Sequence, residues 1–583
     1  MTVSKLIGRG IYWCALRGKT LRGKIMLSRL ERQTADARRI NEKTLMQILR
    51  HNADTELGRE WKLDTIKNIR DFQEKIPYTE FMFYYDRIKR MVEGNETGLI
   101  TNYPITFFAV TSGTTGDSKR IPVSKATKKR FADMGAFRLL AVMDRHYKKT
   151  TGKPFPCEKG FITLETRKRK KWNNIGAVST LAIKNVLCFT TVAFSSPPEI
   201  MQVSEKMDTK YLKTLFALAE HDLLYIAGAF MSTYVEIMRL IREKWEMLVE
   251  DIRTGTINKS VQVSDTMRET LERRLQPDPE RADFLKQEFE KGFDTPIIPR
   301  IWKSCSFITG IGSADFSIYA DEMRKYAGDI PFDYGTYGAS EGLFAVCFEP
   351  DNDTFLMLPD SVFYEFLPVD PEDDNIYLID ELTPGKEYEM VVTNDAGLYR
   401  YRIKDVIRVV GYRGKCPVVA FSYRKNQLLN AVGEKTSEAA AQAAVRAFAE
   451  ETGCPVDDFC FYIDMNGGEP SYAVIIEDHQ GIGGVDTDAY AEVLDRHLSE
   501  QNHAYGFERK AGTLGKLKLR LTNVPINTLY HEAKKESGSS DNQLKPLHLA
   551  NTTDKVKELE NILTEEYANC QNAENGTCFY KPN

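Results

Sequence analysis

The sequence contains no C-x-x-C pair: its ten cysteines stand singly at 14, 157, 188, 305, 347, 416, 454, 460, 570 and 578. That spacing offers neither a zinc ribbon nor a paired disulfide framework, so reduced thiols in a cytoplasmic protein without a secretory leader are expected. Eight histidines form no H-x-H or H-E-x-x-H pairing, which removes the usual basis of a zinc site. No apolar run approaches the roughly 18 residues needed to cross a bilayer, and no transmembrane segment is expected. A large excess of either charge is also missing. Lys and Arg number 79 against 83 Asp and Glu, a net charge of -4, so the molecule as a whole attracts neither nucleic acid nor an acidic membrane. Cationic chemistry has to be local.

What is present is 583 residues with 42% hydrophobic and 28% charged content, too long for one ordinary domain and apolar enough for two or more packed units. The opening stretch, Lys5 to Met26, mixes basic and apolar residues, and its glycines at 8, 10, 18 and 23 weaken a helix. It reads as a helix or arm packed on the protein body, with a helix lying on an anionic membrane surface as the alternative. From Met231 to Ile252, apolar residues at Ile237, Leu240, Ile241, Trp245, Leu248, Val249 and Ile252 follow the spacing of one buried helical face. Between Gly342 and Tyr423 short β-rich runs alternate with Asp, Asn, Gly and Pro, the pattern of hairpins closing into a small barrel or folded sheet. Beyond Arg424 an alanine-rich helix begins at a Ser437 cap, strands follow near 459–464 and 471–477, and a helix carries Tyr490, Val493, Leu494, His497 and Leu498 on one face. The main boundary is therefore expected near residue 424, separating 1–423 from 424–583. The basic run Arg167 to Lys171 lacks a neighbouring aromatic platform and reads as a solvated turn, so no nucleic-acid partner is expected.

Three short stretches carry chemistry. In TSGTTGDSK, from Thr111, glycines allow a tight turn, hydroxyls and successive amides can face inward, and Lys119 adds a point charge. That set suits a polyphosphate, although the glycines at 113 and 116 do not match a Walker loop; a Ser/Thr-rich hairpin is the plain alternative. DYGTYGASEG, Asp333 to Gly342, places an aromatic ring at Tyr337, a hydroxyl at Ser340 and a carboxylate at Glu341. A ring can stack on a base and a carboxylate can hold Mg²⁺ beside phosphates; a packed Tyr with a solvated Glu is the alternative. In NDAGLYRYRIKDVIRVVGY a strand ends at Lys404 and Asp405, where a carboxylate can accept from a ribose diol or simply occupy a turn.

Together and in this order, the three resemble the phosphate-loop, adenine and ribose motifs of the adenylate-forming superfamily of acyl-CoA ligases and luciferases. Within it the chain most resembles the Gretchen Hagen, or auxin-responsive promoter, family of acyl acid amido synthetases. ILRHNADTELGREW, KIPYTEF, RLIREKWEMLVEDIRTGTI, FSYRKNQLLNAVGEKTSE and SGSSDNQLKPLHL look like family segments in family order, over about residues 45 to 550. The resemblance implies an α/β protein: a large N-terminal domain of mixed sheets, flanking helices and a small β-barrel-like subdomain, then a smaller, mobile α+β C-terminal domain hinged near Arg424. It further implies that Ser112, Gly113, Thr114, Thr115 and Gly116 line the ATP triphosphate with Lys119 nearby, that Tyr337 faces adenine, that Ser340 contacts phosphate and that Glu341 serves Mg²⁺. By the same resemblance Asp405 binds ribose, Arg424 touches the nucleotide, and Lys435 and Lys545 reach the reacting phosphate and carboxylate.

The chain departs from the family in two places. Plant members usually read S-S-G-T-S at the phosphate loop where this chain has Thr111 to Thr115, and Leu544 stands where the family commonly has Tyr and a following Arg is lacking. The implied activity is ATP-dependent coupling of a small carboxylic acid to an amino acid through an amide. Coenzyme A as acceptor, giving a thioester, is the second reading, and a nucleotide-binding regulator without chemistry is the third. Residues 126–148, 223–231 and 308–316 are the candidate acid pocket, where glycines let a ligand approach the backbone, unless these segments are ordinary core.

Overall fold

The computed structural model describes residues 3–111, 119–156, 158–164, 166–167, 175–176, 190–205, 207–313, 317–370, 372–425, 428–432, 434–464, 470–478, 486–536 and 545–572. They divide into two compact units, one of Met1–Ile403 with Ile407–Phe421, the other of Lys404–Val406 with Ser422–Asn583.

The first unit opens with a long helix, α1 (Val3–Gln33), followed by α2 (Ala37–Asn52). The glycines of α1 do not break it. Gly23 is where its backbone closes on the protein: a Cβ there would meet the Phe137 carbonyl oxygen at 1.9 Å. Strands β1 (Ile105–Thr111) and β2 (Lys119–Ser124) form an antiparallel pair, and Ser124 caps the next helix by accepting from the Thr127 amide. That helix turns π-helical at Phe131–Phe137 before continuing as α3 (Arg138–Thr151).

A four-stranded parallel sheet in chain order follows: β3 (Phe161–Ile162), β4 (Ile226–Phe230), β5 (Ile308–Ile311) and β6 (Phe332–Asp333). The helix expected from the 3.6-residue periodicity is α4 (Met231–Thr254), which buries Ile237, Ile241, Leu248, Val249 and Ile252 and leaves Leu240 and Trp245 partly covered. The β-rich stretch becomes one seven-stranded sheet. Its strands are β7 (Thr336–Ala339), β8 (Gly342–Cys347), β9 (Phe355–Met357), β10 (Phe363–Pro368), β11 (Glu387–Thr393), β12 (Tyr401–Arg413) and β13 (Cys416–Arg424), ordered β7-β8-β9-β13-β12-β11-β10.

The second unit carries α5 (Glu438–Thr452), capped as expected by the Ser437 hydroxyl, which accepts from the Ala440 amide at 3.2 Å. Its sheet runs β16 (Gly515–Thr522), β15 (Ser471–Glu477), β14 (Asp458–Asp464), β17 (Leu549–Ala550), with β14 and β15 antiparallel and the outer pairings parallel. Helix α6 (Thr487–Gln501) buries Leu494, His497 and Leu498, and Tyr490 packs edge-on against Phe448 of α5 at 5.2 Å. Of the basic run, Arg167 closes a short strand, Thr166–Arg167, and residues 168–171 lie outside the described residues.

The parallel sheet joins the start of β7 through an ion pair sealed from water. Arg138 of α3 makes two 2.8 Å hydrogen bonds to the two oxygens of Asp333 at the end of β6, and donates also to the carbonyls of Cys347 at 2.6 Å and Gly335 at 3.3 Å. Asp333 accepts in turn from the Gly335 amide at 2.8 Å. Burial pulls the Arg138 guanidinium toward neutrality, but the facing carboxylate outweighs it and leaves the pKa raised. Removing one partner of such a pair costs about 3–5 kcal/mol because the other charge stays buried and uncompensated. Arg138→Met is therefore expected to lose about that much in urea unfolding, with Arg138→Met/Asp333→Asn recovering a substantial part; additive losses in the double variant would contradict the coupling.

Candidate active site

Tyr337, Ser340 and Glu341 share one hairpin: β7 ends at Ala339, Ser340 and Glu341 form the turn, and β8 starts at Gly342. The register slips between Tyr337 and Gly338, so a bulge re-aims the chain just ahead of the turn. The Tyr337 ring is 8% exposed, edge-on to Phe344 at 5.5 Å and Phe421 at 5.8 Å and tilted against Phe355 at 6.3 Å. The ring belongs to the core cluster. Asn394 fixes the turn from below: its amide donates to the Glu341 carbonyl at 2.7 Å while its oxygen accepts from Ala396 and Leu398, each at 3.1 Å. The Glu341 carboxylate thus projects from a tethered backbone, and a carboxylate is the hard oxygen donor that Mg²⁺ takes.

Lys119 is the first residue of β2 and the register partner of Thr111, the last of β1. Its ammonium stands 5.7 Å from the centre of the Phe81 ring. Ser112, Gly113, Thr114, Thr115 and Gly116, which join these two strand ends, lie outside the described residues.

In the second unit Asp405 and Arg424 come together. The Arg424 guanidinium donates through Nε to Asp405 Oδ1 at 2.5 Å, with the carboxylate buried and the arginine partly exposed. The residue before it, Lys404, has φ of +65°, a left-handed conformation inside β12 that a side chain adopts only when its surroundings impose it.

Lys435 is also left-handed, at φ of +51°, and exposed. Its neighbours explain how it is kept there. Glu434 is buried, accepting from the amides of Ala431 at 2.7 Å and Val432 at 2.8 Å and from the Tyr472 hydroxyl at 2.7 Å. On the other side Thr436 bonds to Tyr472 at 2.9 Å and to the Asn502 amide at 2.8 Å. Both flanks are pinned inward, so the lysine side chain is turned out.

Lys545 is exposed, three residues from a buried anchor. His548 lies between two carboxylates, bonded through Nδ1 to Glu438 and through Nε2 to Asp458 at 3.1 Å, and its ring stacks on Phe459 at 4.6 Å. Burial alone would depress its pKa; the charge of Glu438 and the hydrogen bonds to Asp458 and Glu438 overcome this and raise it to about 10. The Leu547 amide, donating to Asn527 Oδ1 at 2.5 Å, adds a second tether. Leu544, beside the lysine, lies outside the described residues.

Two glycines of the candidate acid pocket, Gly228 and Gly310, approach a core side chain. A Cβ on Gly228 would fall 2.7 Å from the Tyr234 hydroxyl and one on Gly310 3.1 Å from its ring, while that hydroxyl donates to the Thr309 carbonyl at 2.6 Å. The space is filled by a core tyrosine of α4. The ordinary-core alternative describes these two positions.

Three models of the GH3 family match the chain in order: its N-terminal domain over residues 26–332, its central domain over 355–424 and its C-terminal domain over 439–554. The chain belongs to the GH3 family. Lys119 falls in the first matched segment, Asp405 and Arg424 in the second and Lys545 in the third; the Tyr337–Glu341 hairpin and Lys435 lie in the intervals. Among GH3 relatives, a jasmonoyl–L-amino acid synthetase of Nicotiana attenuata is 28% identical over 527 residues, 85% of this chain and 88% of that protein. An indole-3-acetic acid-amido synthetase of Arabidopsis thaliana is 26% identical over 456 residues, 73% of each. The solved GH3.15 acyl acid amido synthetase has the same fold, with a TM-score of 0.78 at 23% identity over 92% of this chain and 95% of that one.

Sequence reasoning passed over Arg138, Asp333, Asn394 and His548, and a histidine three residues beyond the second lysine was the one local signal available. The His548 cluster also gives a pH dependence. Because the folded pKa is raised above the ordinary value near 6.5, the histidine's stabilisation is complete below about pH 6.5 and is lost as pH climbs through about 10. The difference in urea stability between the parent chain and His548→Gln is expected to shrink steadily over that interval; a constant difference would refute a charged His548.

Proposed function

We propose that the chain is an ATP-dependent acyl acid amido synthetase, activating a small carboxylic acid as its adenylate and passing the acyl group to the amine of an amino acid, with release of pyrophosphate and AMP. The observation that carries this is the succession of GH3 domains along residues 26–554, joined to the placement of both small-unit lysines on anchored, outward-turned segments. The curated relatives named above join a carboxylic acid to an amino acid by their own descriptions.

The first half-reaction brings a carboxylate to the ATP α-phosphate, two anions whose approach needs cations already in place. In this reading Ser112, Gly113, Thr114, Thr115 and Gly116 cradle the triphosphate with amides and hydroxyls, Lys119 adds charge, and Ser340 donates to phosphate oxygen. Glu341 is the residue that would hold Mg²⁺, which when bound neutralises phosphate charge. Tyr337 offers the margin of its ring to adenine. Asp405 accepts from the ribose diol. Lys435 and Lys545 attend the reacting phosphate and carboxylate oxygens. In the second half-reaction the amine attacks the acyl carbonyl and AMP departs, with no covalent enzyme intermediate. A reorientation of residues 424–583 about a hinge near Arg424 would let one lysine serve a single half-reaction.

Acid-dependent ATP–pyrophosphate exchange over a panel of carboxylic acids tests the first step, and the mass of the product formed with an amino acid or with coenzyme A tests the acceptor. Exchange and an amide are expected; a thioester would replace the acceptor, and no exchange with any acid would overturn the reading. Lys545→Ala is expected to lower the exchange kcat by about 10² to 10³ while leaving the KM for ATP nearly unchanged. Exchange equal to that of the parent chain would remove Lys545 from adenylation.

A further inference from the structure

Helix α1 has two apolar faces. One packs on the protein through Tyr12, Leu16, Leu27 and Leu30. The other points to solvent: Ile11 is 59% exposed, Leu21 60% and Ile25 52%. Positions 11, 14, 18, 21 and 25 succeed one another by steps of three and four, so they form one stripe, roughly 21 Å long at the helical rise. An apolar stripe of that length on a helix already packed by its other face is a surface that something covers.

The charges around the stripe say what. From Gly10 to Gln33 the helix carries Arg17, Lys19, Arg22, Lys24, Arg29 and Arg32 against a single acid, Glu31, in a protein whose net charge is -4. Three of these cations meet carboxylates beneath the helix, and Arg29 meets the partly exposed Asp360 at 3.0 Å. Asp144 is buried and accepts from Arg17 at 3.2 Å and from Lys24 at 2.6 Å, and Asp133 is buried and accepts from Arg22 at 2.9 Å. The side chains of Arg22, Lys24 and Arg29 nevertheless stay 43%, 49% and 57% exposed, within reach of phosphate headgroups while apolar neighbours enter the acyl boundary. A second copy of α1 would set cations against cations. An anionic lipid surface meets both the charge and the apolar stripe.

We propose that the outward face of α1 is a docking surface for an anionic membrane, with the helix lying along the bilayer surface through Ile11, Leu21 and Ile25. The cations along its whole length keep it on the surface. Any such attachment is independent of the ligase chemistry, since the stripe contains none of the residues assigned to it.

Flotation of the full chain with vesicles of phosphatidylcholine alone, or with added phosphatidylserine, tests this. Recovery with the anionic vesicles only is expected, falling at high salt as the charges are screened, and dropping at least about tenfold in the exposed-face variant Leu21→Asp/Ile25→Asp. Circular dichroism and urea stability matching the parent would show that this variant folds. The proposal is overturned by the absence of flotation, by equal recovery with neutral vesicles, or by unchanged recovery of the variant. It is overturned equally by a dimer in light scattering that Leu21→Asp/Ile25→Asp dissociates, which would assign the stripe to a second copy.

Discussion

One guanidinium and one carboxylate, both shut away from water, hold the junction on which the candidate site depends. Arg138 and Asp333 tie helix α3 to the end of the parallel sheet, and the same arginine takes the carbonyls of Gly335 and Cys347, on either side of the β7–β8 hairpin. Neither partner can leave without exposing the other's charge to a medium that cannot solvate it. The hairpin that carries Tyr337, Ser340 and Glu341 therefore starts from a fixed point, and Asn394 fixes its turn. In the proposed role of Glu341, a carboxylate that meets a cation and phosphate needs a backbone that does not relax away as charge builds up.

The second unit solves the corresponding problem for lysines by a different means. A lysine stem is long and flexible, so its usefulness depends on where its Cα is held. Around Lys435 the buried Glu434 and Thr436 force a left-handed backbone. Beyond Lys545 the charged His548 between Glu438 and Asp458 pins the chain that enters β17. These are two independent tethers, one of strain and one of charge, each beside an exposed lysine. Lys404, left-handed within β12 and next to the Asp405 carboxylate that Arg424 holds, is a third place where the backbone is kept out of its ordinary conformation beside a proposed site residue.

Much of this was readable in the sequence wherever the physics is local. The periodicity from Met231 foretold α4, and the Ser437 hydroxyl foretold the start of α5. Long-range pairing was not readable. Arg138 and Asp333 are 195 residues apart, and His548 meets Glu438 and Asp458 across 110 and 90 residues; nothing in the local pattern of any of these residues distinguishes a buried partner from a solvated charge. The glycines at 228 and 310 were open to two readings, because a small residue announces a close approach without saying whether a ligand or Tyr234 makes it.

The central claim is that the loop between β1 and β2 and the hairpin between β7 and β8 grip nucleotide phosphate. Crystals grown with a non-hydrolysable ATP analogue and magnesium measure this directly. The account predicts phosphate density within hydrogen-bonding reach of residues 112–116 and Ser340, with a magnesium ion on Glu341. A well-ordered nucleotide bound elsewhere, with both segments clear of it, would contradict the account.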